Sequence, residues 1–215
     1  MKYEAVLFDM DGTTQNTVED LKDSANAVLR KFGFPETDAV RAKANLGNGS
    51  KYYLQHSAPA GTDEKTIDEM LKVYKPYYDT HCNIKTRPYD GIPELMAKLR
   101  AAGLKLLIIS NKPDSAVREL AKQHFNGLPA VGESSGVPRK PNPDMVYAAA
   151  EKLGLRLDKC VYVGDTEVDI MTAANAGTDC ICVSWGFRTR EQLVRAGADR
   201  IADSTDELYE MITGE

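Results

Sequence analysis

The chain has 215 residues, 42% of them hydrophobic and 27% charged, which is ordinary for a folded globular protein. Its net charge is −5, whereas nucleic-acid-binding proteins carry an excess of basic residues, and this negative charge also disfavours contact with an anionic membrane surface. Four cysteines are too few for a disulfide scaffold, and the amino terminus carries a single basic residue, Lys2, before the first apolar run. We therefore expect reduced thiols, no signal peptide, no membrane span and a cytoplasmic location.

The first apolar run, over residues 5–8, predicts a strand buried on both faces that delivers Asp9 and Asp11 at its end. Two carboxylates this close repel each other unless a cation or a shared proton relieves the charge. With no His or Cys nearby, Mg²⁺ is favoured over zinc as that cation. Alone, Asp-x-Asp-Gly is also a common turn and resembles the start of a calcium loop, although Asp20 stands where that loop needs Glu.

The next part of the chain shows helical spacing and no convincing strand before residue 87. Helices are predicted over 18–32, 37–46 and 63–78, and Tyr74, Tyr77 and Tyr78 are interpreted as packing within the last of them. An all-helical block between a buried strand and an α/β remainder is typical of an insertion. We therefore expect an α-helical domain over 15–87 and an α/β core domain formed by 1–14 and 88–215.

From residue 92 the pattern alternates between helix and strand. Strands are predicted over 104–109, near 130, and over 160–163, 180–184 and 200–202, with helices over 114–124, 144–153 and 205–212 and a further helix ending near 176. Repeated β-α-β units imply an α/β fold of the Rossmann-like kind, with a mostly parallel sheet and helices on both faces.

Three predicted strands end in polar side chains, which a parallel sheet would bring to one edge. They are Asp9 and Asp11 after the first strand, Ser110 and Asn111 after the second, and Asp165 and Asp169 after the third. Lys140, which we expect to open the helix behind Pro141, can add a cation. This set suits a phosphoryl group, because one carboxylate can attack it, another can move a proton, and Mg²⁺ can withdraw charge. Ser, Asn, Lys and backbone N–H groups near Gly12 and Thr13 can hold the oxygens.

Each of these residues also has a plainer interpretation. Lys140 alone could be a solvated residue at a helix start, and Asp169 could simply stabilise the first turn of a helix by its charge. Gly47-Asn48-Gly49 could present a turn to a substrate or could only end a helix. The residues that select the substrate stay open among Arg41, Asn48, Ser50 and Lys51.

Four segments stand in the order and spacing of the four motifs of the haloacid dehalogenase superfamily of phosphohydrolases, and the chain resembles that superfamily through them. They are Asp9-Met10-Asp11-Gly12-Thr13, Ser110-Asn111-Lys112, Lys140-Pro141 and the stretch 164–169. The helical block resembles the superfamily's cap domain. The second motif, together with residues 139–143 and 185–188, is most similar to the phosphoglycolate phosphatase subgroup.

The resemblance implies a Mg²⁺-dependent phosphatase that hydrolyses a small phosphorylated metabolite, such as 2-phosphoglycolate, through an aspartyl-phosphate. It implies that Asp9 is the nucleophile and that Asp11 protonates the leaving oxygen and then activates water. It also implies that Mg²⁺ is bound by Asp9, the Asp11 carbonyl and Asp165, with Asp169 in support, and that Ser110, Asn111 and Lys140 bind the phosphoryl oxygens. From the backbone donors and the glycine turn described above, we also expect Gly12, Thr13, Gly47 and Asn48 to contact the substrate. We expect a monomer or weak homodimer, with no nucleic-acid or membrane partner.

Two other functions stay open. Related sugar phosphomutases of the β-phosphoglucomutase type pass the phosphoryl group to a second hydroxyl, and release of inorganic phosphate without a bisphosphate activator would separate the two reactions. A non-catalytic nucleotide-binding or regulatory module is the other, but Gly47-Asn48-Gly49 is only a fragment of a dinucleotide fingerprint and follows no strand.

Overall fold

A six-stranded parallel sheet forms the centre of the protein, seen in a computed structural model that describes residues 2–134 and 136–214. In chain order the strands are β1 (Ala5–Phe8), β2 (Gln15–Asn16), β3 (Arg87–Pro88), β4 (Lys105–Pro113), β5 (Ala130–Glu133), β6 (Cys160–Gly164), β7 (Asp179–Val183) and β8 (Ile201–Ala202). The main sheet has the order β5-β4-β1-β6-β7-β8, and each neighbouring pair is parallel. The predicted α/β class with a mostly parallel sheet is confirmed.

Ten α-helices are described: the first four pack on one another between β2 and β3, and helices that follow β3 cover the faces of the main sheet. They are α1 (Val18–Lys31), α2 (Ala39–Ala44), α3 (Ser50–Ser57), α4 (Glu64–His81), α5 (Ile92–Ala101), α6 (Asp114–His124), α7 (Asp144–Leu153), α8 (Glu167–Ala176), α9 (Arg190–Arg195) and α10 (Thr205–Thr213). Alternate residues of β1 point to opposite faces, so Val6 and Phe8 pack in a different core cluster from Ala5 and Leu7. Burial on both faces explains why this strand is continuously apolar.

The structure differs from the sequence-based prediction in five elements. Helices α3 and α9 were not predicted, and the short strands β2 and β3 lie in stretches expected to be irregular. Strand β4 extends to Pro113, so the Ser110-Asn111-Lys112 segment lies within the strand rather than after it, beside an irregularity in its pairing with β5. The sequence analysis ended this strand too early, because the apolar run stops at Ile109 and the residues that follow are polar.

The chain enters and leaves the helical region at one place. Gln15 lies opposite Pro88, and Asn16 opposite Arg87, in the antiparallel β2–β3 ladder. The Asp20 carboxylate, in the first turn of α1, accepts hydrogen bonds of 2.8–3.0 Å from the backbone N–H groups of residues 84–86. The first predicted domain boundary falls just before β2 and the second falls within β3, and the division into two domains at those residues stays a prediction.

Candidate active site

Three carboxylates meet at the carboxyl edge of the sheet. Asp9 follows β1, Asp165 follows β6, and Asp169 lies in the first turn of α8. Strands β1 and β6 are neighbours, which brings together residues that are more than 150 positions apart in sequence. One oxygen from each carboxylate lies within 4.8 Å of the others, and each residue is at most 5% exposed. The predicted convergence of these acids is therefore what the sheet order produces.

The buried ammonium of Lys140 joins two of these acids. Its Nζ lies 2.8 Å from Asp9 Oδ1 and 2.8 Å from Asp169 Oδ1, and it donates to the Tyr162 hydroxyl at 3.1 Å. Burial lowers the pKa of Lys140, but the charges of Asp169 and Asp9 outweigh it and leave that pKa well above its ordinary value. The sequence analysis expected Lys140 to open a helix, and this prediction is wrong, because α7 begins only at Asp144.

Even with Lys140 present, the cluster carries an excess of buried negative charge. Burial raises the pKa of Asp9 to about 7, against the lowering effect of Lys140 and with the help of Asp169 and Asp11. Burial, followed by the charges of Asp169 and Asp9, raises the pKa of Asp165 well above its ordinary value. A divalent cation would relieve this repulsion, and a donor set made only of carboxylates fits a hard ion such as Mg²⁺.

The hydrogen bonds distinguish the three acids. Asp169 Oδ2 accepts from the backbone N–H groups of Asp165 and Thr166 and from the Thr166 hydroxyl, at 2.8–3.2 Å, while its Oδ1 faces Lys140. Asp169 therefore caps α8, in line with its plainer interpretation, and also orients Lys140. Asp9 has only its Oδ1 engaged by Lys140 among the described residues, which leaves Oδ2 for another bond.

Two glycines make room for Asp165. A Cβ at Gly12, which has a φ of +89°, would lie 2.3 Å from Asp165 Oδ2, and a Cβ at Gly186 would lie 2.4 Å from it. The carboxylate between them accepts hydrogen bonds from the Thr13 hydroxyl at 3.0 Å and from Phe187 N–H at 2.6 Å. Because glycine has no Cβ, the backbone at both positions can approach the Asp165 carboxylate closely.

Asn111 connects three parts of the site. Its side chain accepts from Lys140 N–H at 2.8 Å and donates at 3.0 Å to the carbonyls of Lys140 and Gly47. It therefore holds the Lys140 loop against β4 and reaches the helical region. Ser110, which precedes it, is 1% exposed.

A cavity of about 40 Å³ lies between the sheet edge and the helical region. Asp9, Asp11 and residues 110–113 line the sheet side. The helical side includes Gly47, Gly49 and Ser50, but Asn48 is not among the described lining residues. The cavity is small, so it suits a small ester.

Lys51 and Arg41, two of the four residues considered for substrate selection, make contacts within the helical region instead. Lys51 Nζ pairs with Glu64 and Asp68, at 2.9 and 2.7 Å. The Arg41 guanidinium donates hydrogen bonds to the backbone carbonyls of His56 and Ala58. These contacts engage both cations within the helical region, whereas Ser50 faces the cavity.

Sequence reasoning assigned no role to Lys112, although the motif that contains it was recognised. Its side chain is 1% exposed, its Nζ lies 2.8 Å from Asp11 Oδ1, and it also contacts the Tyr78 hydroxyl. Tyr74 and Tyr78 pack within α4 as expected, but they also line the cavity, whereas Tyr77 does not. Lys112 could have been predicted as a site residue, because it directly follows Asn111 on β4, a strand that ends at the site.

Arg188 was also missed as a contact residue. Its guanidinium pairs with Glu167 at 2.8 Å and donates to the carbonyls of Lys43 and Leu46, at 3.3 and 3.2 Å. Phe187, the residue before it, holds Asp165. This loop therefore touches the acid cluster and the helical region at once.

Known phosphatases are similar to this protein along nearly the whole chain. A family model described as haloacid dehalogenase-like hydrolase matches residues 6–183. The phosphoglycolate phosphatase of Neisseria meningitidis is 31% identical over 219 residues, covering 96% of this chain and 92% of that protein. The N-acetylmuramic acid 6-phosphate phosphatase of Pseudomonas aeruginosa is 29% identical over 217 residues, covering 99% of this chain and 96% of that protein.

A crystal structure gives the same result for the fold. A candidate phosphoglycolate phosphatase from Lactobacillus delbrueckii subsp. bulgaricus superposes with a TM-score of 0.94 at 38% identity, covering the whole of both chains. Within residues 2–134 and 136–214, no helix has the length and apolar character needed to cross a membrane.

Proposed function

The chain belongs to the haloacid dehalogenase-like hydrolase family, in its phosphoglycolate phosphatase-like subgroup, and on that premise we propose that it hydrolyses a small phosphate monoester through an aspartyl-phosphate. The observation that carries the proposal is the pairing of Asp9 with Lys140. The 2.8 Å contact fixes one carboxylate oxygen and counters its charge, and the other oxygen is left to attack phosphorus.

The other residues have separable tasks in this proposal. Asp11, two residues after the nucleophile, protonates the leaving oxygen and later takes a proton from water. Ser110 can donate its hydroxyl to a phosphoryl oxygen, and Lys140 supplies a buried positive charge beside it. The backbone N–H groups of Gly12 and Thr13 already donate to the carbonyls of Gln15 and Met10. Asn111 positions the Lys140 loop, because both of its amide N–H donors are taken by the carbonyls of Gly47 and Lys140. Asp169 positions Lys140.

We propose that Mg²⁺ is the metal, held by Asp9, the Asp11 carbonyl and Asp165, with Asp169 in support. When bound, the ion would supply positive charge beside the phosphoryl oxygens. The raised pKa values of Asp9 and Asp165 support a cation at this point, because the chain's own residues leave the cluster with excess negative charge.

The substrate is proposed to be a small phosphorylated metabolite, with 2-phosphoglycolate as the first candidate because several relatives are phosphoglycolate phosphatases. The cavity volume of about 40 Å³ supports a leaving group of a few atoms. All four cysteines are free, which supports a reducing, cytoplasmic location.

Release of inorganic phosphate from 2-phosphoglycolate and from p-nitrophenyl phosphate tests the proposal. We expect turnover with Mg²⁺ and no added bisphosphate, and loss of turnover in excess EDTA. A strict requirement for a sugar bisphosphate would favour the phosphomutase reaction instead. Turnover that persists in EDTA would contradict the metal assignment.

Metal binding should depend on pH in a defined direction. Burial raises the pKa of Asp9 to about 7 in the metal-free fold, whereas the ordinary value is 3.8. Between these values the folded protein holds a proton that the unfolded chain has released, so this group makes stability fall as pH rises from about 4 to about 7. Mg²⁺ competes with that proton and should raise Tm more at pH 8 than at pH 5. Equal shifts at both pH values, measured against EDTA controls, would contradict this.

A further inference from the structure

We propose that Arg188 is a positioning residue that docks the helical region onto the loop that holds Asp165, so that cation binding at the acid cluster and enclosure of the site are coupled. The loop is 185–188, and the docked part of the helical region is residues 43–47, called segment 43–47 below. The statement about the cation rests on the proposed function, whereas the docking contact does not.

Arg188 is anchored beside the acid cluster by a two-point ion pair with the first residue of α8. Its Nε lies 2.8 Å from Glu167 Oε2, and its Nη2 lies 2.9 Å from Glu167 Oε1. The Arg188 side chain is only 10% exposed, so this pair is screened by water less than an ordinary surface pair. A guanidinium held at two points directs its remaining N–H groups along fixed lines.

Two of those N–H groups reach the helical region. Nη1 donates to the Lys43 carbonyl at 3.3 Å, and Nη2 donates to the Leu46 carbonyl at 3.2 Å. Lys43 is in the last turn of α2 and Leu46 follows that helix, and the carboxyl end of a helix carries partial negative charge on its carbonyls. One side chain thus joins segment 43–47 to α8 by charged hydrogen bonds.

Two further contacts seat the same segment on the sheet edge. Asn111 donates to the Gly47 carbonyl at 3.0 Å. A Cβ added at Gly47 would lie 3.3 Å from Thr166 Cγ2, which shows how closely this backbone approaches the start of α8. Because segment 43–47 has these other contacts, loss of the guanidinium should loosen the segment without releasing the whole helical region.

The same loop fixes Asp165. The N–H group of Phe187, one residue before Arg188, donates to Asp165 Oδ2 at 2.6 Å. Successive residues of one short loop therefore hold a carboxylate of the acid cluster and the helical region, and a displacement of one contact displaces the other. Binding that orders the Asp165 carboxylate then favours the docked position of segment 43–47, and by linkage docking favours binding to the same degree.

Hydrogen exchange and Mg²⁺ binding by the whole protein test the docking and the coupling. Exchange of the backbone N–H groups of segment 43–47 is measured by mass spectrometry in EDTA and in saturating Mg²⁺. The proteins are the wild type, Arg188→Met, Arg188→Lys and the control Arg190→Met, because Arg190 is two residues further on and pairs at 48% exposure with a different acid. The Mg²⁺ dissociation constant is taken from the rise of Tm with Mg²⁺ and from the fluorescence of Trp185, the single tryptophan of the chain.

In EDTA we expect segment 43–47 to exchange about tenfold faster in Arg188→Met than in the wild type, which is the scale of one charged hydrogen bond. Mg²⁺ should slow exchange of this segment in the wild type and leave it unchanged in Arg188→Met. The Mg²⁺ dissociation constant of that variant should rise about fivefold or more. Arg188→Lys keeps the charge but loses the planar fork, so its values should fall between the two. Arg190→Met should behave as the wild type does.

Unchanged exchange of segment 43–47 in Arg188→Met would overturn the docking. Faster exchange in that variant, with an undiminished effect of Mg²⁺ and an unchanged dissociation constant, would overturn the coupling and leave Arg188 as a structural contact only. If Arg188→Met does not fold, Arg188→Lys and Glu167→Gln decide by the same measurements. A wild type that binds no Mg²⁺ would overturn the coupling together with the metal assignment, and exchange in EDTA would still judge the docking. Absence of phosphate release, with exchange and Mg²⁺ binding as expected, would overturn the proposed function and leave this inference standing.

Discussion

Asp9→Asn is expected to lower kcat on the order of 10⁴-fold or more, because a neutral amide oxygen is a poor nucleophile toward phosphorus. The fold should persist. Asparagine has nearly the same shape, and it removes a buried charge whose pKa burial already raises to about 7. The side-chain oxygen can still accept from Lys140, which keeps Asp169 as its charged partner. Phosphate release at saturating Mg²⁺ is the measurement, with Tm as a check on folding.

Asp206→Asn serves as the control for this substitution. Its side chain is 83% exposed and, within residues 2–134 and 136–214, its ion pair is with the exposed Lys98, so the same chemical change there should alter neither kcat nor Tm appreciably. A kcat for Asp9→Asn within about tenfold of the wild type would rule out covalent catalysis by Asp9.

Lys140→Met is expected to have the largest effect on stability. It leaves Asp9 and Asp169 buried beside Asp165 without their cation, and breaking a buried ion pair from one side costs about 3–5 kcal/mol. We therefore expect the free energy of unfolding in EDTA to fall by about that amount at pH 8. Turnover should also fall about 10²-fold to 10³-fold, because the positive charge beside Asp9 and the phosphoryl group is lost.

Denaturant unfolding at pH 8 and pH 5 measures this effect. Uncompensated buried carboxylates retain protons more readily, so the deficit of the variant should shrink at pH 5. Lys98→Met is the matched control, because Lys98 is 57% exposed in its pair with Asp206 and its loss should cost less than about 1 kcal/mol. A deficit as small as that of the control would show that Lys140 does not compensate the acid cluster.

The sequence predicted the elements whose signals are local. The buried strands, the helices α6 and α7 at their observed bounds, and the meeting of Asp9, Asp165 and Asp169 follow from apolar periodicity and from the geometry of parallel sheets. The family resemblance carried by the four motifs is confirmed by the match over residues 6–183. Short elements such as β2 and α9 were missed because two to six residues carry too little periodicity.

Contacts between distant segments could not be predicted. The pairing of Lys112 with Tyr78 joins residues 34 positions apart on a strand and a helix, and no spacing rule relates them. Arg188 reaches carbonyls near the end of α2, more than 140 positions away. These contacts depend on how the helical region sits over the sheet edge, which no local pattern encodes.

The β2–β3 ladder makes the helical region replaceable as a unit. Because Gln15 and Pro88 are cross-strand partners, the segment between them begins and ends about 5 Å apart, at the edge of a two-residue ladder. A different insertion, long or short, has only to match that ladder to leave the order of the main sheet untouched. The acid cluster at the sheet edge therefore does not depend on the length of the segment that this ladder closes.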